Sequence, residues 1–230
     1  MSRNSGGSAG RVTYRHGDLR QALIQAGLDL ARQGGPEAVV LREATRRAGV
    51  VPNAAYRHFA DLDALLAAVC SAAQAEFARA IEAQLTQVDA SLAPAARARA
   101  RFHAVGLGYL RFAQAEPGLF RTAFWLSRTL QQSAHPERRG DSGLTPFQLL
   151  GTTLDGLVET GLLAAGRRPG AEFLAWSAVH GLATLLIDGP LRGLDDAQTR
   201  QLELRLVEMV ERGLDAPAQA GTPPAQSHEP

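Results

Sequence analysis

Residues 39–59 read VVLREATRRAGVVPNAAYRHF and contain two short helical patterns on either side of a glycine. In the first pattern, small and apolar residues recur at spacings of three and four, which places them on one face of a helix. That face consists of Leu41, Ala44, Thr45 and Ala48. Gly49 suits the left-handed backbone of a tight turn, and Pro52 suits the first position of a second helix. The stretch therefore predicts a helix-turn-helix whose second helix can enter a DNA major groove.

The predicted second helix carries side chains that can contact DNA. Asn53 and Ala54 face outward at its start, and Phe59 is the apolar anchor at its end. Three candidates for phosphate contact precede that anchor, namely Tyr56, Arg57 and His58. Arg42 lies on the outer face of the first helix and joins the predicted DNA-binding set.

Basic residues also precede the first predicted helix, which extends from about Gly17 to Gln33. Arg11, Arg15 and His16 lie where a chain start could touch the DNA backbone, and Arg15 is included in the predicted DNA-binding set. For Arg11, a solvated and flexible chain start explains the sequence equally well.

The segment AGVVPNAAYRHF (residues 48–59), which follows a first helix HGDLRQALIQAGLDL (residues 16–30), resembles the N-terminal domain of TetR-family transcriptional regulators. The resemblance covers about residues 14–69. It rests on the aromatic-x-His-aromatic end of the second helix and on the spacing of that end from the glycine turn. It implies that Pro52, Asn53 and Ala54 read bases and that Tyr56 and His58 contact phosphate.

One position departs from the family pattern. Many members have a phosphate-contacting lysine three residues after the Phe, whereas this chain has Leu62 between Asp61 and Asp63. We therefore expect the start of the next helix to add little to DNA affinity. The alternative is that Leu62 is buried beneath the helix-turn-helix.

The composition predicts an all-α protein of about nine helices. Of the 230 residues, 45% are hydrophobic; β-branched clusters are few, and Ala, Leu, Arg, Glu and Gln are abundant. The net charge of +1 hides an uneven distribution, because residues 1–60 hold nine Arg and four acidic residues. A basic N-terminal part is expected of a nucleic-acid-binding surface. The single cysteine, Cys70, cannot form an intrachain disulfide and fits a reducing cytoplasm.

Composition and predicted helices divide the chain into four parts. Residues 1–13 form a Gly/Ser-rich arm that is predicted to be disordered, and residues 14–60 form the three-helix DNA-binding domain with the helix-turn-helix. Residues 61–214 form a helical domain, to which the resemblance assigns ligand binding and dimerisation. Residues 215–230 are predicted to be a disordered tail.

Six of the thirteen aromatic residues lie in two segments, residues 94–115 and 117–126. They are compatible with an ordinary core and with the wall of an apolar ligand cavity, and the TetR resemblance favours the cavity. Glu159, in a helix predicted over residues 145–166, could orient a polar or cationic ligand group, although such carboxylates are more often solvated. The predicted ligand-binding residues are Phe102, Tyr109, Phe120, Phe124, Trp125, Glu159 and Trp176.

Two further helices are predicted over about residues 169–188 and 195–214. WSAVHGLATLL, residues 176–186, resembles a subset of TetR-like C-terminal domains marked by Trp, His and Gly at this spacing. The helix pair could complete the core of one chain or form a dimer face, and the resemblance implies a four-helix bundle between two subunits. The predicted interface comprises Trp176, His180, Leu202, Leu206, Met209 and Val210. For His180, a packed and hydrogen-bonded role within one chain is the alternative.

The motifs exclude the common catalytic classes. The sequence has no nucleophile elbow, phosphate loop, CxxC pair or HExxH motif, and no two of its six histidines lie one helical turn apart. We therefore predict no enzyme activity, no cofactor and no metal site.

We expect a cytoplasmic, homodimeric DNA-binding regulator with no membrane partner. It would act as a repressor that a largely apolar small molecule releases from a palindromic double-stranded DNA operator. The alternative is an all-helical carrier of apolar small molecules whose basic N-terminal domain does not bind DNA. The run from Tyr56 to His58 beside a glycine turn argues against the carrier, which has no use for exposed phosphate donors.

Overall fold

The computed structural model describes residues 16–126 and 135–215, with side chains from residue 19 onward. The described residues form nine α-helices and no strand, which confirms the predicted all-α fold. The helices are α1 (His16–Gly34), α2 (Leu41–Arg47), α3 (Pro52–Ala55), α4 (Leu62–Leu85), α5 (Pro94–Ala115), α6 (Pro117–Trp125), α7 (Pro146–Glu159), α8 (Ala171–Ile187) and α9 (Asp196–Asp215). The predicted arm and tail, with Arg11 and Arg15, lie outside the described residues.

The chain divides into two compact units. The first unit, residues 1–79 and 115–146, contains α1 to α3, most of α4, and α6. The second unit, residues 80–114 and 147–230, contains most of α5 and the helices α7 to α9. The helix-turn-helix thus shares a unit with α4 and α6, and the predicted functional boundary after residue 60 stays a prediction.

In the first unit, α1 packs against α2, α3 and α6. Two glycines permit close contacts with α1. A Cβ atom on Gly27 would lie 2.4 Å from Cγ2 of Val69 in α4, and one on Gly118 in α6 would lie 2.1 Å from the carbonyl oxygen of Ala31. The position of α1 therefore links the helix-turn-helix to the rest of the unit.

Helix α4 begins at a side-chain cap, as the sequence predicts. The Asp61 carboxylate accepts a hydrogen bond from the Ala64 backbone N–H at 2.8 Å, which satisfies one of the N–H groups at the helix start. By length and composition α4 could cross a membrane, since its most apolar 18-residue window has a mean hydropathy of 1.3. Because 67% of that window is buried within the protein, α4 has the environment of a core helix.

Helix α7 ends at Glu159, whereas the hydrophobic pattern predicts a helix that continues to Gly166. Gly161 adopts a positive φ of 73°, and the Leu162 backbone N–H donates to the Leu157 carbonyl oxygen at 2.8 Å. This left-handed glycine closes the helix end. The predicted boundary was wrong because apolar residues continue beyond the turn.

In the second unit, α8 packs against α9. Helix α5 approaches α9 closely at Gly106, where a Cβ atom would lie 3.0 Å from Cγ2 of Val207. Burial alone would raise the pKa of Glu211 on α9, but hydrogen bonds from Arg99 and His103 of α5 outweigh it and lower the pKa. Apolar packing and this charged cluster together join α5 to α9.

Candidate DNA-binding surface and candidate effector and dimer residues

The turn between α2 and α3 has the predicted geometry. Ala44 and Thr45 of α2 are buried against the unit. Gly49 has a φ of 70°, and the Val50 backbone N–H donates to the Thr45 carbonyl oxygen at 3.0 Å. Pro52 is the first residue of α3, where its missing N–H costs no helical hydrogen bond. The predicted helix-turn-helix is confirmed.

Helix α3 and the turn after it expose most of the predicted contacts. Ala55 and Phe59 are buried and hold this segment on the unit. The remaining side chains are exposed at Pro52, Asn53, Tyr56 and Arg57, and half-buried at Ala54 and His58. Val51, 69% exposed just before α3, is a further surface residue that the sequence analysis did not select.

Glu43 determines which arginines near this surface are already paired. Its carboxylate accepts hydrogen bonds from Arg46 at 2.7 and 2.8 Å and from Arg47 at 3.1 Å, which lowers the pKa of Glu43 to about 2. Within residues 19–126 and 135–215, Arg42 and Arg57 have no ion-pair partner. These two guanidinium groups are therefore available for phosphate.

Two contacts of α1 support the helix-turn-helix and were missed by sequence reasoning. The Arg20 guanidinium lies 5.5 Å from the centre of the Phe59 ring, a cation–π contact at the end of residues 52–59, the proposed recognition segment. Arg47 of α2 donates to the Gln33 side chain at 2.8 Å. Both contacts depend on tertiary packing, so no local sequence pattern indicates them.

Leu62 is the first residue of α4 and is 37% exposed. The alternative that Leu62 is buried beneath the helix-turn-helix is therefore wrong. Asp61 and Asp63 beside it are also exposed, so this helix start presents carboxylates to solvent.

The predicted ligand-binding aromatics are divided between the units. In the first unit, Phe120 and Phe124 of α6 meet Phe77 of α4 edge to face, with ring centres 6.1 and 6.2 Å from that of Phe77 and 5.1 Å from each other. Phe120 is buried and Phe124 half-buried, whereas Trp125 is 51% exposed. Trp125 therefore lies outside the buried part of this cluster.

In the second unit, three predicted residues form a hydrogen-bonded chain. The Trp176 indole N–H donates to the Tyr109 hydroxyl oxygen at 3.1 Å, and that hydroxyl lies 2.8 Å from Nδ1 of His180. Burial raises the pKa of Tyr109 and lowers that of His180. Phe102 is buried, and Glu159 is exposed.

Three of the four predicted dimer residues on α9, all except Val210, line an open surface depression of about 510 Å³. Met209 is 60% exposed, and the neighbouring apolar side chains Leu202, Leu206 and Val210 are half-buried. On α8, the predicted interface residues Trp176 and His180 are half-buried. Gly181 is exposed, and a Cβ atom there would meet nothing within 4 Å.

Across the part of the chain that the structure describes, no group of three His, Cys, Asp or Glu side chains could hold a metal ion. Among curated protein sequences, none matches this chain.

Solved structures share the fold. A protein with unknown function from Rhodococcus sp. RHA1 has a TM-score of 0.69 and 25% identity over 90% of this chain and 100% of that chain. The regulator FadR from Bacillus subtilis, in complex with stearoyl-CoA, has a TM-score of 0.61 and 14% identity over 84% of this chain and 98% of its own. RolR in complex with resorcinol has a TM-score of 0.55 and 17% identity over 86% and 94% of the respective chains.

Two family models match the sequence. Residues 23–69 match the model described as "Bacterial regulatory proteins, tetR family", and residues 102–210 match "Tetracyclin repressor-like, C-terminal domain". The first match contains the helix-turn-helix with its exposed α3, and the second contains the Tyr109, Trp176 and His180 chain. On this evidence, the chain belongs to the TetR family of bacterial transcriptional regulators.

Proposed function

We propose that this protein is a ligand-responsive repressor that binds a palindromic operator as a homodimer and leaves it when a small molecule binds. The observation that carries the proposal is the exposed α3 segment, held by buried Ala55 and Phe59 beside the unpaired Arg42 and Arg57. Such a segment offers side chains for base edges and cations for phosphates at the same time. The function is regulatory and cytoplasmic, with no enzyme activity.

The outer face of α8 and α9 supports the homodimer. Leu174 and Leu185 of α8 and Met209 of α9 are 67%, 42% and 60% exposed in the single chain. Gly181 lies between the two leucines along α8 and leaves room for another helix to approach. A two-fold pair of these helices would bury the apolar stripe and match a palindromic operator.

Response to a ligand is supported by related folds. The structural neighbours FadR and RolR carry stearoyl-CoA and resorcinol, both molecules with large apolar parts. In this chain, the aromatic clusters around Phe120 and Tyr109 offer apolar surfaces for such a molecule. A carrier without DNA binding is the less favoured function, because it does not explain the exposed Tyr56 and Arg57.

Selection of bound duplexes from a random library tests the DNA-binding part directly. Asn53→Ala should change the base preference at one position of each half-site, whereas Tyr56→Phe should weaken binding about equally on all sequences. Arg101→Gln, at an exposed arginine of α5, serves as the control and should leave selection unchanged. Failure of the wild-type protein to select any duplex would contradict the proposed function.

A further inference from the structure

Arg138 is a buried cation with no counter-charge among the residues that the structure describes. It ends the short 3₁₀ helix Pro136–Arg138 in the first unit, and only 7% of the residue is exposed. Its Nε and Nη1 atoms are buried and have no hydrogen-bond partner. An arginine keeps its charge even when burial lowers the pKa of its guanidinium group, as it does here. Burying such a charge unpaired is costly, so a partner from outside the chain is expected.

The thiol of Cys70 interacts electrostatically with Arg138, but this thiol is neutral. Burial raises the pKa of Cys70 to about 11, against the opposing influence of the Leu126 backbone and of the Arg138 charge. The thiol therefore stays protonated at neutral pH.

The carboxylate next to Arg138 in sequence pairs with another arginine. Glu137, next to Arg138 in sequence, pairs with Arg20 of α1 at 3.3 Å. Throughout the described ranges, 19–126 and 135–215, no carboxylate lies within ion-pair distance of Arg138. Within these ranges, the charge of Arg138 thus has no carboxylate partner.

The surroundings of Cys70 are otherwise apolar or already hydrogen-bonded. Gln74, one turn further along α4, is buried and donates to the Ala123 carbonyl oxygen at 2.7 Å. Phe77 follows on the same helix and meets Phe124, the residue after Ala123. The interface between α4 and α6 is therefore lined by aromatic rings, and it belongs to the same unit as the buried charge of Arg138.

We propose that Arg138 forms the charged end of the effector site and that the effector is a small carboxylic acid with an apolar body. The carboxylate would accept hydrogen bonds from Nε and Nη1 of Arg138, a planar pair of donors that suits its two oxygens. The apolar body would lie against Phe120 and Phe124. This inference rests on the proposed function, because it assigns a chemical class to the effector of that function.

Thermal unfolding of the full-length protein tests the site with sodium decanoate, with decanol as the uncharged counterpart. Decanoate at 100 times its Kd should raise the Tm by about 5 °C, and decanol should raise it less. The increase in Tm caused by decanoate should disappear in Arg138→Gln. It should persist in Arg139→Gln, the matched control at the exposed neighbouring arginine. Sodium benzoate and inorganic phosphate, tested in the same way, distinguish an apolar carboxylate from a simple phosphate ion.

A second measurement needs no ligand. Arg138→Met replaces the unpaired cation with an apolar side chain of similar length, and it should raise the Tm of the ligand-free protein by about 2 °C or more. Arg139→Met should change the Tm little. A fall of several degrees for Arg138→Met alone would show that the guanidinium is satisfied within the protein, and the proposal would be wrong.

DNA binding, measured on a selected duplex, separates this inference from the proposed function. If Arg138→Gln loses the rise in Tm caused by decanoate but keeps its DNA affinity, the result supports both the anion site at Arg138 and the proposed regulatory function. A decanoate response through Arg138 in a protein that selects no duplex leaves the anion site standing and removes the regulatory function. If decanoate, benzoate and phosphate stabilise Arg138→Gln as much as the wild type, the anion site is wrong, whatever the protein does with DNA.

Discussion

Leu62 bears on the proposed DNA contact at the start of α4. It is exposed at the start of α4, where the family often has a lysine, and Asp61 and Asp63 beside it are also exposed. The Asp61 carboxylate is held by the Ala64 backbone N–H. No cation is present at this helix start, so we expect the arginines of the helix-turn-helix to provide the phosphate contacts in the proposed complex.

Leu62→Lys should add one phosphate contact per subunit. Neutralising one phosphate steepens the slope of log K against log salt by about 0.9, which is close to 2 for a dimer. Since Leu62 is exposed, the Tm should stay near that of the wild type. Leu204→Lys, at an exposed leucine of α9, is the control for added charge and should leave the slope unchanged. A lower Tm with an unchanged slope would contradict the predicted contact.

His180 should make stability depend on pH. Burial lowers its pKa in the folded protein, while the unfolded chain titrates near the ordinary value of about 6.5. Below that pH the unfolded state takes up a proton that the folded state does not, so stability should fall as the pH decreases through the folded pKa. Between about pH 8 and pH 5, the free energy of unfolding measured by urea denaturation should fall less in His180→Gln than in the wild type. An identical pH profile for the two proteins would rule out His180 as the cause.

At the scale of elements, the contact between α1 and α6 depends on a missing side chain. A Cβ atom at Gly118 would lie 2.1 Å from the Ala31 carbonyl oxygen and 2.8 Å from that of Arg32. These are backbone atoms, which cannot move aside without shifting the helix. The spacing between α1 and α6 is therefore fixed by a glycine.

Gly118→Ala should destabilise the protein by about 1–3 kcal/mol, because the strain outweighs the better helix propensity of alanine. Gly166→Ala is the matched control, since a Cβ atom there meets nothing within 4 Å. Chemical denaturation measures both variants. Equal free energies of unfolding for Gly118→Ala and Gly166→Ala would mean that α1 and α6 can move apart with little loss of stability.

The elements that the sequence predicts well are those with local signals. Gly49 and Pro52 determine a turn and a helix start through their own backbone preferences, so the helix-turn-helix could be predicted in detail. The end of α7 could not, because apolar residues continue past Gly161 and hide the turn. The burial of Arg138 was also beyond prediction, since it results from tertiary packing and the residue lies in a loop rich in Pro, Arg and Gly.

For the whole molecule, the outer face of α8 and α9 determines the proposed assembly. Leu206→Arg would place an unpaired cation in the proposed interface and should produce monomers in light scattering. DNA affinity should fall with it, since one half-site offers few contacts. Leu204→Arg, at an exposed leucine on another side of α9, should remain dimeric. A dimeric Leu206→Arg protein would place the interface elsewhere.

Arg20 contacts both the Phe59 ring, which anchors the recognition segment, and Glu137, the residue before Arg138. An anion at Arg138 and an operator at α3 would therefore be linked through one side chain. Such linkage is reciprocal: the factor by which the anion changes operator affinity is also the factor by which the operator changes anion affinity. The effector concentration that half-saturates the protein would then shift with the number of operator copies in the cell.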